Sequence, residues 1–572
     1  MVNIRYILAG AVLAGTVAAQ AKDLKTEITV DRTVVPVERQ ATRLGSVVPE
    51  LYSPAIRHKA LGLYEYGEAS EIVPSISRLE PMNYGDTLSL TPYRGYASVG
   101  YFPAFNLGAS AGYRFINKAS TRLGAWLQYD GYSYKDFEGH RRNYDKVDGS
   151  YKNNTVAVGL HLDQRVGSKS RVSAGVTYSF AALTNPFYNK NFTQNRNDFA
   201  VNASWWSRAG RFNYHVNVDF DRFAFSKDLT DRYVPTRVVY KAAAETLLGF
   251  KAGLAYAADG VTPAWGLEVA GDFLNQSAFG LNHDAKPGTH GIISLSPYYA
   301  FNAGKFHGRV GLKVDFMTGD KDTAPTGDDA SVRVAPDVLF DYNATSQFAV
   351  FARISGGENF NSLRTMSQIT PFIPSWQQYG RSNVPVTVDA GFNIGPFKGF
   401  AVSFFGGYAV ANDWMMPVVG TFNNFIVEDV KGWHVGLKFD YSYGSLVEAS
   451  ASVETAASGD QDKAYYLWRD RAKWVADASV TVRPIDKLSI DLGYKLRAQR
   501  SCYSMSSKFE GDRIYEISLG NVSDLSLGAR YAITDAFSVF ARGENLLNHR
   551  YDIIYGVAAQ GLKGLLGVSL KF

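Results

Sequence analysis

The chain of 572 residues contains a single cysteine, and after residue 21 it contains no apolar run long enough to form a transmembrane helix. One thiol excludes an intramolecular disulfide, so the fold cannot depend on such bridges. A helix that crosses a bilayer needs about 20 consecutive apolar residues, so this chain cannot cross a membrane by helices after that point.

Long basic runs and the common catalytic motifs are also missing. The net charge of +5 is spread along the chain, which gives no reason to expect a nucleic-acid partner. No HExxH, GxSxG, Walker or CxxC element occurs. Sets such as His215 with Asp219 and Asp221 are interpreted as a wetted lining, because nine histidines among many polar positions produce such neighbours by chance. We therefore expect no enzyme, no catalytic residue, no metal site and no cofactor.

What the sequence does contain is a repeated alternation of apolar and polar residues. The stretch FNYHVNVDFDR, residues 212–222, places aromatic and aliphatic residues at every second position. Period two predicts a β-strand, because successive side chains point to opposite faces. A soluble β-sandwich would show the same alternation, so this strand alone does not distinguish a soluble β-protein from a membrane barrel.

The first 21 residues, MVNIRYILAGAVLAGTVAAQA, resemble a secretory signal peptide. They combine a basic start at Arg5, an apolar stretch of about a dozen residues and small residues ending at Ala21. An uncleaved anchor is the alternative, and the apolar stretch is too short for it. We predict removal of residues 1–21 and location of the mature chain in the outer membrane.

Residues 94–572 predict a transmembrane antiparallel β-barrel of about 22 strands. Short turns alternate with longer polar connections such as 139–148, 318–330, 358–381, 458–470 and 501–511, an asymmetry typical of outer-membrane barrels. Ten short turns join twenty strands, and one strand at each end gives 22. A count of 20 is possible if the first pair, near residues 96–104 and 106–116, does not form.

The two faces of these strands predict a lipid-facing exterior and a water-filled lumen. Arg542 and Glu544 could contact a plug or partner inside the barrel, or pair within the wall. The lumen-facing candidates are His215, Asp219, Asp221, Arg309, Lys313, Asp315, Lys438, Asp440, Arg542 and Glu544.

The carboxyl end carries the most specific signals. The final strand, LKGLLGVSLKF, ends on Phe572, and an aromatic terminal residue resembles the signal that hands outer-membrane barrels to the barrel-assembly machinery. Residues 537–556, FSVFARGENLLNHRYDIIYG, resemble the end of TonB-dependent outer-membrane receptors. The matching residues are Asn545, Leu546, Leu547, Asn548 and Tyr551. The resemblance covers about forty residues and implies a barrel of 22 strands.

The amino-terminal part departs from that family. TonB-dependent receptors carry a plug domain of well over a hundred residues, whereas residues 22–94 number 73 (94 − 22 + 1) and show no plug signature. We expect residues 22–93 to be a short, extended segment, in the periplasm or filling the lumen, with one strand near residues 27–35. Residues 28–30, Ile-Thr-Val, faintly resemble the box that receptors offer to TonB, although an ordinary strand or tether explains them as well.

A barrel of 22 strands requires closure, because known barrels of that size have a plugged lumen. Closure could come from residues 22–93, from folded-in external loops or from another polypeptide. The first functional hypothesis is a transport channel, TonB-dependent receptor-like, with a reduced or trans-supplied plug. The alternative is a non-transporting barrel subunit of a larger outer-membrane protein assembly or export complex; a barrel enzyme ranks last. The expected partners are outer-membrane lipid and a periplasmic or outer-membrane protein.

Overall fold

A computed structural model describes residues 93–572 except 104, 119, 136–149, 186–191, 227–228, 232–237, 241, 258–262, 278–288, 320–330, 370–380, 420–422, 459–471, 507–512 and 555–556. The signal peptide, the segment up to residue 92 and the strand expected near residues 27–35 lie outside the described residues. These three expectations therefore stay predictions.

Twenty-two antiparallel strands form the wall of the barrel. They are β1 Gly95–Phe102, β2 Asn106–Asn117, β3 Thr121–Lys135, β4 Ser150–Val166, β5 Ser170–Asn185, β6 Phe192–Ala209, β7 Phe212–Phe225, β10 Ala244–Ala257, β11 Pro263–Ser277, β12 Thr289–Ala303, β13 Phe306–Gly319, β14 Val332–Thr345, β15 Phe348–Phe360, β16 Arg381–Phe397, β17 Phe400–Val419, β18 Asn423–Tyr443, β19 Val447–Ser458, β20 Trp474–Ile485, β21 Leu488–Ala498, β24 Val522–Ala532, β25 Phe537–Glu544 and β28 Lys563–Lys571. Six short strands lie in the connections: β8 Leu229–Asp231, β9 Val238–Tyr240, β22 Ser501–Ser506, β23 Arg513–Ser518, β26 Asp552–Ile554 and β27 Val557–Ala558.

The first and last strands close the wall. β1 pairs with β2 on one side and with β28 on the other, where Tyr96 lies opposite Lys571 and Tyr101 lies opposite Leu566. A closed barrel leaves no edge strand with unpaired backbone groups, which is what a sheet in a bilayer requires. The predicted antiparallel barrel of 22 strands is confirmed, and because β1 and β2 form, the alternative of 20 strands is wrong.

The two ends of the barrel differ in their connections, as the sequence predicts. We call one end the short-turn end; its ten connections include residues 167–169, 210–211 and 444–446. Gly210 and Gly444 have positive φ angles of 58° and 54°, in the left-handed region that glycine enters at little cost. We call the other end the long-loop end, and every longer connection lies there.

One predicted loop contains additional structure. The sequence predicts a polar connection over 501–511, but β22 and β23 pair there as a hairpin, which meets β17 through the single pair Val419 and Ser504. The sequence there is rich in serine and polar residues and does not stand out as a strand. Pairing its two halves satisfies backbone groups that would otherwise need water.

The outer face of the wall is apolar and the inner face is polar. On β7, Val216 and Val218 are exposed on the outside, while Asn213 and His215 are buried on the inside. The final strand behaves in the same way, with Leu566, Val568 and Leu570 outside. An apolar exterior on a closed barrel is the arrangement that lipid requires.

A short helix, α1 Leu363–Ile369, follows β15 in the connection to β16. Within the part of the chain that the structure describes, no helix is long and apolar enough to cross a membrane. Two residues of α1, Leu363 and Met366, belong to a buried apolar cluster with side chains of β7 and β11. The connection after β15 therefore folds into the barrel.

Candidate functional site

The inner face of the barrel wall is the surface on which charged side chains converge. The alternation of each strand places all ten lumen-facing candidates on it. The structure does not bring them into one site, because they belong to several ion-pair groups around the circumference. Their role in function therefore stays a proposal.

One group spans the five neighbouring strands β10 to β14 at mid-wall. Glu268 of β11 contacts Lys251 of β10 at 3.1 Å and Arg309 of β13 at 3.5 Å. Arg309 also contacts Asp337 of β14 at 2.6 Å, and its guanidinium lies 4.0 Å from the ring centre of Tyr298. Lys251 and Glu268 in turn act electrostatically on the predicted candidate His215 of β7. The group balances two cations with two carboxylates.

A second group lies near the long-loop end. Asp315 of β13 is 1% exposed; it accepts hydrogen bonds from Ser294 Oγ at 2.5 Å and from the backbone N–H of Glu358 at 2.8 Å, and it contacts Lys313 at 3.3 Å. The Glu358 carboxylate contacts Arg333 of β14 at 2.9 Å. These contacts fix the end of β15, from which the chain turns into the lumen.

Residues 361–369, which we call the inward loop, leave β15 and dock on β7, β10 and β11, which lie four to six strands away in the wall. Ser362 caps α1, since its Oγ accepts the N–H of Thr365 at 3.1 Å. Glu245 of β10 accepts two further N–H groups of the first turn, from Leu363 at 2.7 Å and from Arg364 at 2.8 Å. A wall carboxylate thus satisfies helix donors that would otherwise need water.

The inward loop is held by apolar packing as well. Leu363 and Met366 are three residues apart and so share one face of α1, where each is 1% exposed. They pack with Phe223, Phe225 and Leu274 of the inner wall. Burying a side chain of this size contributes about 1.5 to 3 kcal/mol, so the cluster is a main source of docking energy.

Charged contacts set the position of the inward loop. Arg364 contacts Asp198 of β6 at 2.9 Å and the predicted candidate Asp221 of β7 at 3.0 Å. Arg196 donates to the carbonyl of Ser367 at 3.0 Å. Asp219, two residues before Asp221, lies opposite Asn202 and Gly249 on the same face. The acidic positions predicted on β7 therefore border the inward loop.

Further ion pairs cover the opposite part of the wall. His434 of β18 lies between Asp389 of β16 and Glu454 of β19, with 3.1 Å to each. The predicted pair Lys438 and Asp440 follows on the same strand, with 2.9 Å between the ammonium and the carboxylate. These contacts are made across and along neighbouring strands, which favours a role in the wall.

The predicted pair on β25 also bonds within the wall. Arg542 and Glu544 are 2.6 Å apart, and Glu544 also contacts Lys563 of β28 at 3.0 Å. All three line a crevice with Asp130 and Tyr132 of β3. Of the two interpretations left open by the sequence, these contacts favour pairing within the wall.

The carboxyl-terminal motif forms hydrogen bonds within the connection between β25 and β28. Asn545 is fully buried with φ 46°; its amide donates to the carbonyls of His549 and Gln560, and its Oδ1 accepts the N–H of His549. Asn548 accepts the N–H of Leu562 at 3.1 Å. Leu546 and Leu547 are exposed.

Tyr551 and Phe572 complete that motif. Tyr551 packs with Val522 and Ala559, and burial raises the pKa of its hydroxyl. Phe572 donates its N–H to the carbonyl of Gly95 at 2.9 Å and stacks on Tyr113 at the seam between first and last strands. The residues that carry the family resemblance thus have structural contacts here.

Sequence reasoning missed the residues that hold the inward loop, namely Asp198, Glu245, Leu363, Arg364 and Met366. A signal was present, because Ser362 followed by apolar residues three apart is a helix start. The polar residues around it favour a connection over the whole stretch 358–381, so the helix start does not stand out. Among the described residues, no group of three His, Cys, Asp or Glu could hold a metal ion.

No protein-family profile and no curated protein sequence matches the chain. The fold resembles that of solved receptors. The ferripyoverdine receptor of the outer membrane of Pseudomonas aeruginosa, solved with ferripyoverdine, is 12% identical with a TM-score of 0.59, over 84% of this chain and 72% of that chain. The ferric enterobactin receptor PfeA of the same organism is 11% identical with a TM-score of 0.62, over 84% and 81%.

A third solved structure is the siderophore receptor PirA from Acinetobacter baumannii. It is 8% identical with a TM-score of 0.62, over 84% of this chain and 80% of that chain. At such identities the likeness establishes the shared fold alone.

Proposed function

We propose that this protein is an outer-membrane transport barrel similar in architecture to TonB-dependent receptors. The observation that carries the proposal is the closed wall of 22 strands, apolar outside and charged inside, which the solved siderophore receptors resemble. In this proposal the short-turn end faces the periplasm and the long-loop end faces the exterior, as in outer-membrane barrels generally.

The lumen needs more than the wall to close it. Barrels of 16 to 18 strands already enclose an aqueous channel, and a barrel of 22 strands is wider. The inward loop covers the side of the lumen formed by β6, β7, β10 and β11. We propose that residues 22–93, or a separate polypeptide acting as a trans-supplied plug, close the remainder.

The solved receptors suggest which solutes to examine first. Ferripyoverdine and enterobactin are bound by the receptors named above. A polar iron chelate of this class is compatible with a lumen lined by charged groups such as Arg309 and Glu268. The barrel-assembly machinery would recognise the final strand ending at Phe572.

The test is conductance in planar bilayers. Purified full-length protein should conduct little, and a variant lacking residues 22–93 should conduct as a wide pore, because the lumen then loses part of its filling. If the full-length barrel is already a wide, steady pore and the deletion changes nothing, residues 22–93 close nothing. Recovery from native membrane with a stoichiometric partner, and no solute uptake on reconstitution, would instead support a non-transporting subunit.

A further inference from the structure

Arginine side chains gather on the inner face at the short-turn end of β2 to β5. Arg114 and Arg122 are 7% and 8% exposed, and Arg165 and Arg171 follow on the next two strands. Arg122 experiences the charges of the three other arginines and the opposite charge of Asp163. The barrel therefore concentrates positive charge at one place on its rim.

The charge imbalance extends over three neighbouring turns. We define the basic sector as residues 112–124, 161–175 and 204–213. Its described residues contain one acidic side chain, Asp163, and eight basic ones: Arg114, Lys118, Arg122, Arg165, Lys169, Arg171, Arg208 and Arg211.

Another part of the same rim is different. Residues 439–450, 481–491 and 528–540, which form the corresponding turns between β18 and β25, contain three basic and five acidic side chains. The positive charge is therefore a property of one sector and not of the whole short-turn end.

The register of the strands places like charges opposite each other in the basic sector, which destabilises the sheet there. Arg165 lies directly opposite Arg171 in the register of β4 and β5, and like charges at opposed positions destabilise a sheet by about 0.2 to 1 kcal/mol. Asp163 accepts a hydrogen bond from Arg171 Nε at 3.0 Å. The described residues of the basic sector carry a net charge of +7 (8 − 1, His161 counted as neutral), which would attract an anionic ligand.

Arg94, near the start of the described residues, lies next to this sector. The carbonyl of Arg94 accepts the N–H of Arg114 at 2.8 Å, and the N–H of Arg94 donates to the carbonyl of Phe572 at 2.8 Å. The residues just before this point, 60–92, contain Arg78 and five acidic residues, Glu65, Glu68, Glu71, Glu80 and Asp86, for a net charge of −4 (1 − 5).

The distance is within reach of that segment. Neighbouring strands lie about 4.8 Å apart, so the step from β1 to β6 spans roughly 24 Å. An extended chain advances about 3.3 Å per residue, so roughly eight residues cover it. Thirty-three residues, 60–92, are available, and the five carboxylates are distributed along them.

We propose that residues 60–92 dock across the basic sector, with their carboxylates against the arginines and lysines of β2 to β7. This inference rests on the proposed role of residues 22–93 and specifies where on the wall they bind. The two charges are complementary, since the basic sector is net positive and residues 60–92 are net negative and precede Arg94 directly.

The direct test is zero-length carbodiimide cross-linking of the full-length protein, read by peptide mass spectrometry. Lys118 and Lys169 are exposed in the basic sector, and Lys398 and Lys487 are exposed on the rest of the rim as matched controls. Cross-links should join Lys118 or Lys169 to peptides of residues 60–92. Links to Lys398 and Lys487 at an equal or higher yield would overturn the proposal.

A charge reversal tests the same contact by protection. In the variant Arg165→Glu with Lys169→Glu, trypsin should cleave after Arg78 roughly ten times faster than in the wild type, because the sector has lost its attraction for the segment. The control Lys398→Glu with Lys487→Glu should leave the rate unchanged. Added salt, which shortens the screening length to about 3 Å at 1 M, should raise the rate in the wild type.

These results separate this proposal from the proposed function. If residues 60–92 cross-link to the basic sector but deletion of residues 22–93 leaves the conductance unchanged, the docking site stands. The proposal that the segment closes the lumen is then rejected. If the deletion raises the conductance but these cross-links do not form, the segment closes the lumen. The proposed docking site is then overturned. Anionic lipid or a co-purifying acidic protein found on the sector, with residues 60–92 unlinked, would also overturn it.

Discussion

The two ends of the lumen balance their charges in different ways. At the long-loop end the chain supplies the partners itself: Arg364 of the inward loop contacts Asp198 and Asp221, and Arg333 contacts Glu358. At the short-turn end the basic sector holds eight basic residues against Asp163. The first region pairs its charges between described residues, whereas the second carries the net positive charge on which the proposed docking of residues 60–92 rests.

The comparison also separates two kinds of attachment. The inward loop combines buried apolar side chains with a few charged contacts, and burial supplies most of its docking energy. The basic sector offers mainly charge at a wetted rim. Attachment at the long-loop end should therefore resist salt, and attachment at the short-turn end should not.

The largest effect should come from removing the apolar contacts of the inward loop. Leu363→Ala with Met366→Ala should weaken its docking by about 2 to 5 kcal/mol for each side chain, because both are buried among Phe223, Phe225 and Leu274. Docking can be followed by thiol modification of Ser367→Cys in a Cys502→Ser background, since Ser367 is 1% exposed.

The thiol introduced by Ser367→Cys should be modified at least a hundredfold faster when Leu363→Ala and Met366→Ala are present. Leu565→Ala is the matched control, because Leu565 is equally buried on β28, away from the inward loop. An unchanged rate in the double variant would mean that apolar packing does not hold the loop.

A smaller effect is expected from the wall carboxylate that accepts two N–H groups of α1. Glu245→Ala should weaken docking by about 1.5 to 3 kcal/mol, because hydrogen bonds to a charged group are lost and the helix donors stay buried. The same thiol assay measures the change. Glu268→Ala removes an equally buried carboxylate that bonds to Lys251 and Arg309 instead, so it should leave the rate near the wild-type value.

The smallest effect should come from the charged contacts of Arg364. Its side chain is 37% exposed, and ion pairs open to water contribute about 0 to 1 kcal/mol. Arg364→Met should therefore raise the modification rate only a few-fold, and the difference from wild type should shrink in high salt. A loss as large as that of the Leu363 and Met366 variant would show that charge, and not burial, holds the inward loop.

Much of the fold could be predicted from residue patterns. The ten short turns lie where the sequence predicts them, because each is marked by small or polar residues between alternating strands. The outer and inner faces follow from period two alone. The hairpin of β22 and β23 was not predicted, because a serine-rich stretch gives a weak strand signal.

The candidate site was predicted only in part. Asp221, Arg309 and Asp315 were recognised as inner-face residues, since alternation determines which way a strand residue points. Their partners were not recognised, because an ion pair joins residues far apart in sequence. Arg364 and Asp221 are 143 residues apart, and Leu363 and Glu245 are 118 residues apart.

The sequence by itself therefore determined the antiparallel barrel, its short turns and its two faces, because each of these is a local pattern repeated along the chain, and it left the number of strands at 22 or 20. Only the tertiary structure decided that the connection after β15 turns inward to meet Glu245 and Asp221, and that arginines of β2 to β5 converge beside Arg94. Those contacts depend on closing the wall between β1 and β28, which sets side by side positions that the chain keeps far apart.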